Sequence, residues 1–175
     1  MEFKFERKIF NIGEKPKVGI ISDSQLSPVR RKNETTFRKN LVLSLLSLKN
    51  QGCNMIIFAG DICNMASAYA YDTYVDAFKS VFGEKMPVVQ IIMGNHDYYG
   101  RGTPENCRRL FTRKIGTSPF THYTVNGFHF IGVSPDCAKM SDGYRKILPY
   151  LKNEIEIAKK ECGDRPIFVT THNSP

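Results

Sequence analysis

A layered α/β fold, with a largely parallel sheet, flanking helices and an antiparallel hairpin, follows from three features of the sequence. Four short apolar runs rich in β-branched residues are bounded by turn residues, the pattern of strands covered on both faces. Helical periodicity separates the first three of these runs. The segment THYTV-NG-FHFIGV carries an Asn-Gly pair between two short strands, a strong hairpin signal. The chain has 175 residues, enough for one domain with a real core. No interior linker divides it, so residues 1–175 are expected to form a single domain.

Each element has its own local reason. Lys17–Ser22 is the first apolar run. In the next stretch Phe37, Leu41, Leu45 and Leu48 recur at helical spacing, with Asn33 able to cap the start and Gly52 the end. Asn54–Ala59 (NMIIFA) is the second run. It is followed by ASAYAYDTYVDAFKSVFG, a helix with Tyr71, Tyr74, Val75 and Phe78 on one side. Pro87–Met93 is the third run, and a helix is expected over Pro104–Ile115. After the hairpin come a helix near Arg145–Glu161 and the last strand, Pro166–Thr171. Strands and helices alternating through short links give parallel pairing.

Composition excludes several classes. At 41% apolar residues the chain reads as an ordinary soluble globule, and no stretch approaches the ~20 apolar residues of a membrane span. The N-terminus, MEFKFERKIF, lacks the apolar run and cleavage site of a signal peptide, so a cytoplasmic location is the expectation. Five scattered cysteines without a Cys-x-x-Cys pair argue against a disulfide framework and a thiolate zinc site. The net charge is +8, with basic groups near Arg30–Lys32 and between Arg101 and Lys114. That balance favours anionic partners, phosphate esters and nucleic acid among them.

Ligands of open α/β sheets collect beyond the carboxyl ends of the strands. All four runs end there in residues of metal-ligand type: Asp23 and Gln25; Gly60-Asp61-Ile62-Cys63-Asn64; Gly94-Asn95-His96-Asp97; Thr171-His172-Asn173. One such residue is usually a turn or cap residue. Four in succession at corresponding positions are hard to attribute to turn chemistry. Carboxylate, amide oxygen and imidazole together suit Mn²⁺, Fe²⁺ or Zn²⁺.

In order, SDSQ, GDICN, GNHD and TTHNSP resemble the signature of the calcineurin-like metallophosphoesterase superfamily. That signature runs Asp-x-His, Gly-Asp-x-x-Asp/Asn, Gly-Asn-His-Asp/Glu and a lone His, and ends in Gly-His-x-His. THYTVNGFHFIGVSPD also looks like the hairpin of these enzymes, so the likeness covers the chain from about Lys17. The resemblance implies a dinuclear site for two divalent ions, Mn²⁺ first, with Fe²⁺ or Zn²⁺ as alternatives. Asp23 and Gln25 would serve the first metal, Asp61 would bridge, and Asn95 and His172 would serve the second. His96 would contact the phosphate and protonate the leaving oxygen, with Asn64 orienting it. Asp97 would support by hydrogen bonding or cap a helix. The reaction implied is hydrolysis of a phosphate ester or diphosphate by a metal-bound hydroxide, the substrate being a phosphorylated small molecule or nucleotide. No membrane partner is expected.

The sequence departs from the family pattern twice. Gln25 stands where most members carry histidine; enzymes resembling manganese-dependent ADP-ribose/CDP-alcohol diphosphatases are similar in having Asp-x-Gln. The second departure is the absence of Gly-His-x-His after the lone histidine. It gives the expectation of an N-terminal portion with an incomplete second sheet and a tendency to self-associate. His122 and His129, on the hairpin, read as ordinary strand residues. The alternative function is a non-catalytic scaffold or binding module on the same fold.

Overall fold

The computed structural model describes residues 3–30, 35–100, 102–139 and 143–173. The expected Asn33 cap, with Arg31, Lys32 and Arg101 of the basic clusters, lies outside the described residues. The elements in order are strand β1 (Glu6–Phe10), β2 (Val18–Ile21), helix α1 (Thr35–Asn50), β3 (Met55–Ala59), α2 (Ala68–Phe82) and β4 (Val88–Ile92). After a 3₁₀ turn over His96–Tyr98 come α3 (Pro104–Ile115), β5 (Phe120–Val125), β6 (Phe128–Val133), α4 (Leu148–Cys162) and β7 (Ile167–Thr171).

The layered α/β class holds, and the structure adds that the strands divide between two sheets. One is the parallel set β2-β3-β4; the other has the order β1-β5-β6-β7. The hairpin β5–β6 is antiparallel, and β1 and β7 flank it in parallel. The last strand therefore joins the hairpin rather than the first three strands. Asn126 and Gly127 both have positive φ, +49° and +80°, the turn whose twist matches a two-residue hairpin.

Three cores hold four layers together. On one side of the parallel sheet, Ile56, Phe58 and Ile91 pack against Leu41 and Leu45 of α1, Tyr71 and Tyr74 of α2, and Phe111 of α3. On its other side, Met55, Ile57 and Val88 meet Tyr123, Val125 and Phe130 of the second sheet. The outer face of that sheet, with Ile131 and Val133, is covered by Ala158 and its α4 neighbours and by Phe3 and Phe5. The β3 residues Met55–Phe58 are buried on both faces, which is why that strand is apolar without alternation. Among the described residues no helix is long and apolar enough to cross a membrane.

Local chemistry sets the helix ends. Ser67 accepts the Ala70 N–H, and Thr103 accepts the Asn106 N–H ahead of Pro104. The last helix begins at Leu148 instead of Arg145, because Pro149 needs no N–H partner only in a first turn. Phe37 is corrected: it is 48% exposed, one turn ahead of Leu41, where α1 first reaches the core.

The strand β1 has no counterpart in the sequence reading. Its Glu6, Arg7 and Lys8 form no apolar run, and polar side chains suit an edge strand. It is held by β5 and by a polar chain that runs from the exposed Arg7 to buried groups. Arg7 donates from Nε and Nη2 to the two Glu154 carboxylate oxygens, at 3.0 and 2.6 Å. Glu154 also lies 2.8 Å from His122 Nδ1, and His122 Nε2 lies 2.8 Å from His129 Nδ1. So the hairpin histidines are structural polar groups under α4. Burial pushes the Glu154 carboxyl up, but its hydrogen bonds to Arg7 and His122 prevail and hold it below the ordinary value.

A carboxyl depressed on folding stabilises the protein above its unfolded value, 4.5, and loses that contribution as pH falls through the folded value. Glu154→Gln is expected to cost about 1–3 kcal/mol at neutral pH and to flatten the stability loss on acidification. Urea titrations of both proteins across that pH window measure the two effects.

Candidate metal centre

The loops after β3 and β4 touch at backbone level. A Cβ on Gly94 would lie 2.1 Å from Asp61 Oδ1 and 2.5 Å from the Asp61 nitrogen, and one on Gly60 would lie 2.7 Å from the Gly94 nitrogen. Only glycine permits that approach. Asp97, with no exposed surface, fastens the two loops. Its Oδ2 accepts from the Gly94 and Ile62 nitrogens at 2.9 and 3.2 Å. Its Oδ1 accepts from the Cys63 nitrogen, the Cys63 thiol and the Tyr71 hydroxyl at 3.3, 3.0 and 3.2 Å. Burial outweighs these donors and raises its pKa to about 6.

The loop after β2 runs alongside these two. The nitrogens of Asp23, Gln25 and Leu26 donate to the carbonyls of Gly60, Asp61 and Ile62, and the Asn64 nitrogen donates back to Leu26. Following this path places Asp23, Gln25 and Asp61 at φ of +58°, +46° and +53°. Left-handed backbone at non-glycine residues costs of order 1–3 kcal/mol each and persists where the surroundings over-determine it. Three such residues meet at one point.

At that point Asp23, Asp61 and His172 present ligand atoms all within 4.8 Å of one another. His172 Nδ1 lies 2.7 Å from the Ala59 carbonyl, so it carries a proton and donates it. Nε2 then faces inward, 3.1 Å from Asn95 Oδ1 and 3.3 Å from Asp61 Oδ1. Burial opposes a charge on this imidazole, yet the hydrogen bonds to Asp61 and Ala59 and the Asp23 charge raise its pKa to about 9. Burial likewise pushes the Asp61 carboxyl up, but His172 and the His96 N–H, at 2.9 Å from Oδ1, bring it below the ordinary value.

Gln25 reaches the same carboxylate from the other side, its Nε2 donating to Asp61 Oδ2 at 2.9 Å. Here its nitrogen, rather than its oxygen, faces Asp61. His96 stands at the rim, half-buried. Its Nδ1 lies 3.1 Å from both the side-chain and the backbone oxygen of Asn64, so Nδ1 is the donor and Nε2 is left to the open side.

The family model of the calcineurin-like phosphoesterases matches residues 16–174. The chain belongs to that family. Among curated proteins none matches it. Calcineurin-like phosphoesterases use divalent metals, and the donors here fit one. Two carboxylates, an amide oxygen and an imidazole nitrogen converge. The imidazole is oriented through its other nitrogen by a carbonyl, the support that metal-ligating histidines commonly have. Asp23 is exposed, which leaves the cluster open on one side.

Of the residues singled out in sequence, Asp23, Gln25, Asp61, Asn64, Asn95, His96 and His172 come together. Asp97 is absent from the cluster, and its carboxylate hydrogen-bonds the loops after β3 and β4. Two tyrosines were missed. Tyr99 accepts from Asn95 Nδ2 at 3.3 Å and packs on the His96 ring at 4.8 Å, so it turns the Asn95 oxygen towards His172. The Tyr144 hydroxyl accepts the His172 and Asn173 nitrogens at 3.0 and 3.2 Å. Tyr99's nearness to GNHD was a usable signal; Tyr144, 28 residues from His172, gave none.

Asp97→Asn sets an NH₂ donor against N–H groups that now meet a carboxylate. A loss of about 2–4 kcal/mol in chemical denaturation is the expected outcome.

Proposed function

We propose that this calcineurin-like phosphoesterase hydrolyses a phosphate ester or diphosphate of a small molecule or nucleotide at a dinuclear site. Asp23, Asp61, Asn95 and His172 would hold the ions, with Gln25 as an additional oxygen ligand. The observation that carries this reading is the convergence of Asp23, Asp61 and His172, with Asp23 and Asp61 on left-handed backbone, at the strand ends. Two divalent cations, Mn²⁺ first, would supply an activated water and offset the charge that develops on the phosphoryl oxygens.

The protein's own groups do the rest. Asp61 is fixed by the His96 N–H and the Gln25 amide, and His172 by the Ala59 carbonyl, so the ligand set needs little rearrangement. His96 is the proton donor to the leaving oxygen. Asn64 holds its Nδ1–H, so the imidazolium gives up its second proton from Nε2 and is left as the neutral ring. Gln25, whose amide nitrogen donates to Asp61, would serve as a ligand through its amide oxygen.

Metal analysis of the purified chain and hydrolysis of bis(p-nitrophenyl) phosphate and p-nitrophenyl phosphate with Mn²⁺ test the reading. Asp61→Asn is expected to lower activity by at least ~10³-fold. His96→Ala is expected to lower it by ~10²-fold or more for alkyl leaving groups, and much less for nitrophenolate, which leaves without a proton. Folded protein that takes up none of Mn²⁺, Fe²⁺, Zn²⁺ or Co²⁺ and turns over neither ester would return the fold to a scaffold role.

Gln25→His tests the ligand assignment separately. Imidazole favours softer ions than an amide oxygen does, so the variant should shift relative affinity from Mn²⁺ towards Zn²⁺, read by calorimetry. Its folding stability should change by less than ~1 kcal/mol.

A further inference from the structure

Of the basic cluster between Arg101 and Lys114, Arg108, Arg109 and Arg113 line hollows that share no residue with the metal centre. Two hollows adjoin beside α3. One, of about 480 Å³, has Lys4, Arg109 and Arg113 on its walls. The other, of about 700 Å³, has Lys139, Arg145 and Lys146. Phe3 and Arg108 belong to both. Arg108 is the fixed point between them. Its Nη1 donates to the Asp136 carbonyl at 2.8 Å, its Nη2 donates to Glu105 at 3.1 Å, and its guanidinium lies over the Phe3 and Tyr98 rings.

Among the described residues lining the two hollows, cations outnumber acids, which are Glu105 and Asp136. Glu105 is paired with Arg108 and acts on Lys146, and Asp136 is 7% exposed, with Oδ1 buried. Lys4, Arg109, Arg113, Lys139, Arg145 and Lys146 are all exposed. Arg109 and Arg113 stand four residues apart on one helix, about 6 Å along its axis, so the wall offers charge at repeated steps. Guanidinium groups also match phosphate oxygens in geometry as well as in sign.

We propose that this groove binds the phosphodiester backbone of a single-stranded nucleic acid, without sequence preference. A small anion would fill one hollow and leave the other's charge unanswered. A lipid surface is flat and does not enter a concave groove. An extended strand spans both hollows and meets a cation at successive phosphates. The proposal does not depend on the metal centre or on hydrolysis.

The test is fluorescence anisotropy with labelled oligo(dT) and oligo(U) of about twelve nucleotides, with EDTA present. Binding is expected at about 50 mM salt, with log K falling by about 0.7 per contacted phosphate for each decade of salt, so a slope near −3 for four or five contacts. Arg109→Glu with Arg113→Glu, and separately Lys139→Glu with Lys146→Glu, should each weaken binding by about tenfold or more. Arg38→Glu with Lys39→Glu on α1 reverses the same number of exposed charges outside the groove and should weaken it by less than about threefold. Thermal melts confirm that each variant is folded. Equal losses in the groove and α1 variants would assign binding to net charge and overturn the proposal. So would unchanged affinity in both groove variants, binding that appears only when metal is supplied, or capture of phosphatidylserine vesicles with no binding of either strand.

Discussion

Asp97 is the group on which the candidate site rests. One buried carboxylate accepts from Gly94 on the loop after β4, and from Ile62 and Cys63 on the loop after β3. Those bonds lock the two loops at the contact distance that Gly60 and Gly94 allow. Asp61 sits inside the first loop and Asn95 and His96 inside the second, so their relative positions are fixed by a residue that touches none of the chemistry. A buried carboxylate with a pKa near 6 is costly to keep, and it is kept where five donors converge.

The same economy of parts recurs outward. His172 is aimed by the Ala59 carbonyl at one nitrogen and by Tyr144 at its backbone. Asn95 is aimed by Tyr99, and His96 by Asn64. His172, Asn95 and His96 each have a partner on the far side from the cluster. The left-handed backbone at Asp23, Gln25 and Asp61 is the strain accepted in return. Donor groups held in place before an ion arrives spare the reorganisation that a flexible site would require.

Away from the cluster, the two sheets separate two kinds of polar construction. The parallel sheet delivers its site residues at its strand ends; within its strands Gln90 is buried and donates to Thr121 and to the Phe130 carbonyl of the second sheet. The second sheet carries polar groups mid-strand, in the Arg7–Glu154–His122–His129 chain beneath α4. His122 and His129 pair with each other, and His122 with a glutamate. Burial on both sides leaves them structural.

The sequence by itself determined the α/β class, the spans of most strands and helices, and which strand ends carry ligands. Those signals are local: apolar runs of five residues, Asn126-Gly127 at the turn, Pro104 and Gly116 at the ends of α3, and a ligand-type residue after each run. Only the tertiary structure decided that β7 joins the hairpin, that the charged stretch Glu6–Phe10 is a strand, and that Phe37 faces solvent. It alone showed Asp97 as a fastener and Tyr99 and Tyr144 as supports. Strand partners and second contacts are set by residues far apart in the chain, such as Arg7 with Glu154 and Tyr144 with His172. No local pattern encodes a distance that only folding brings below 3 Å.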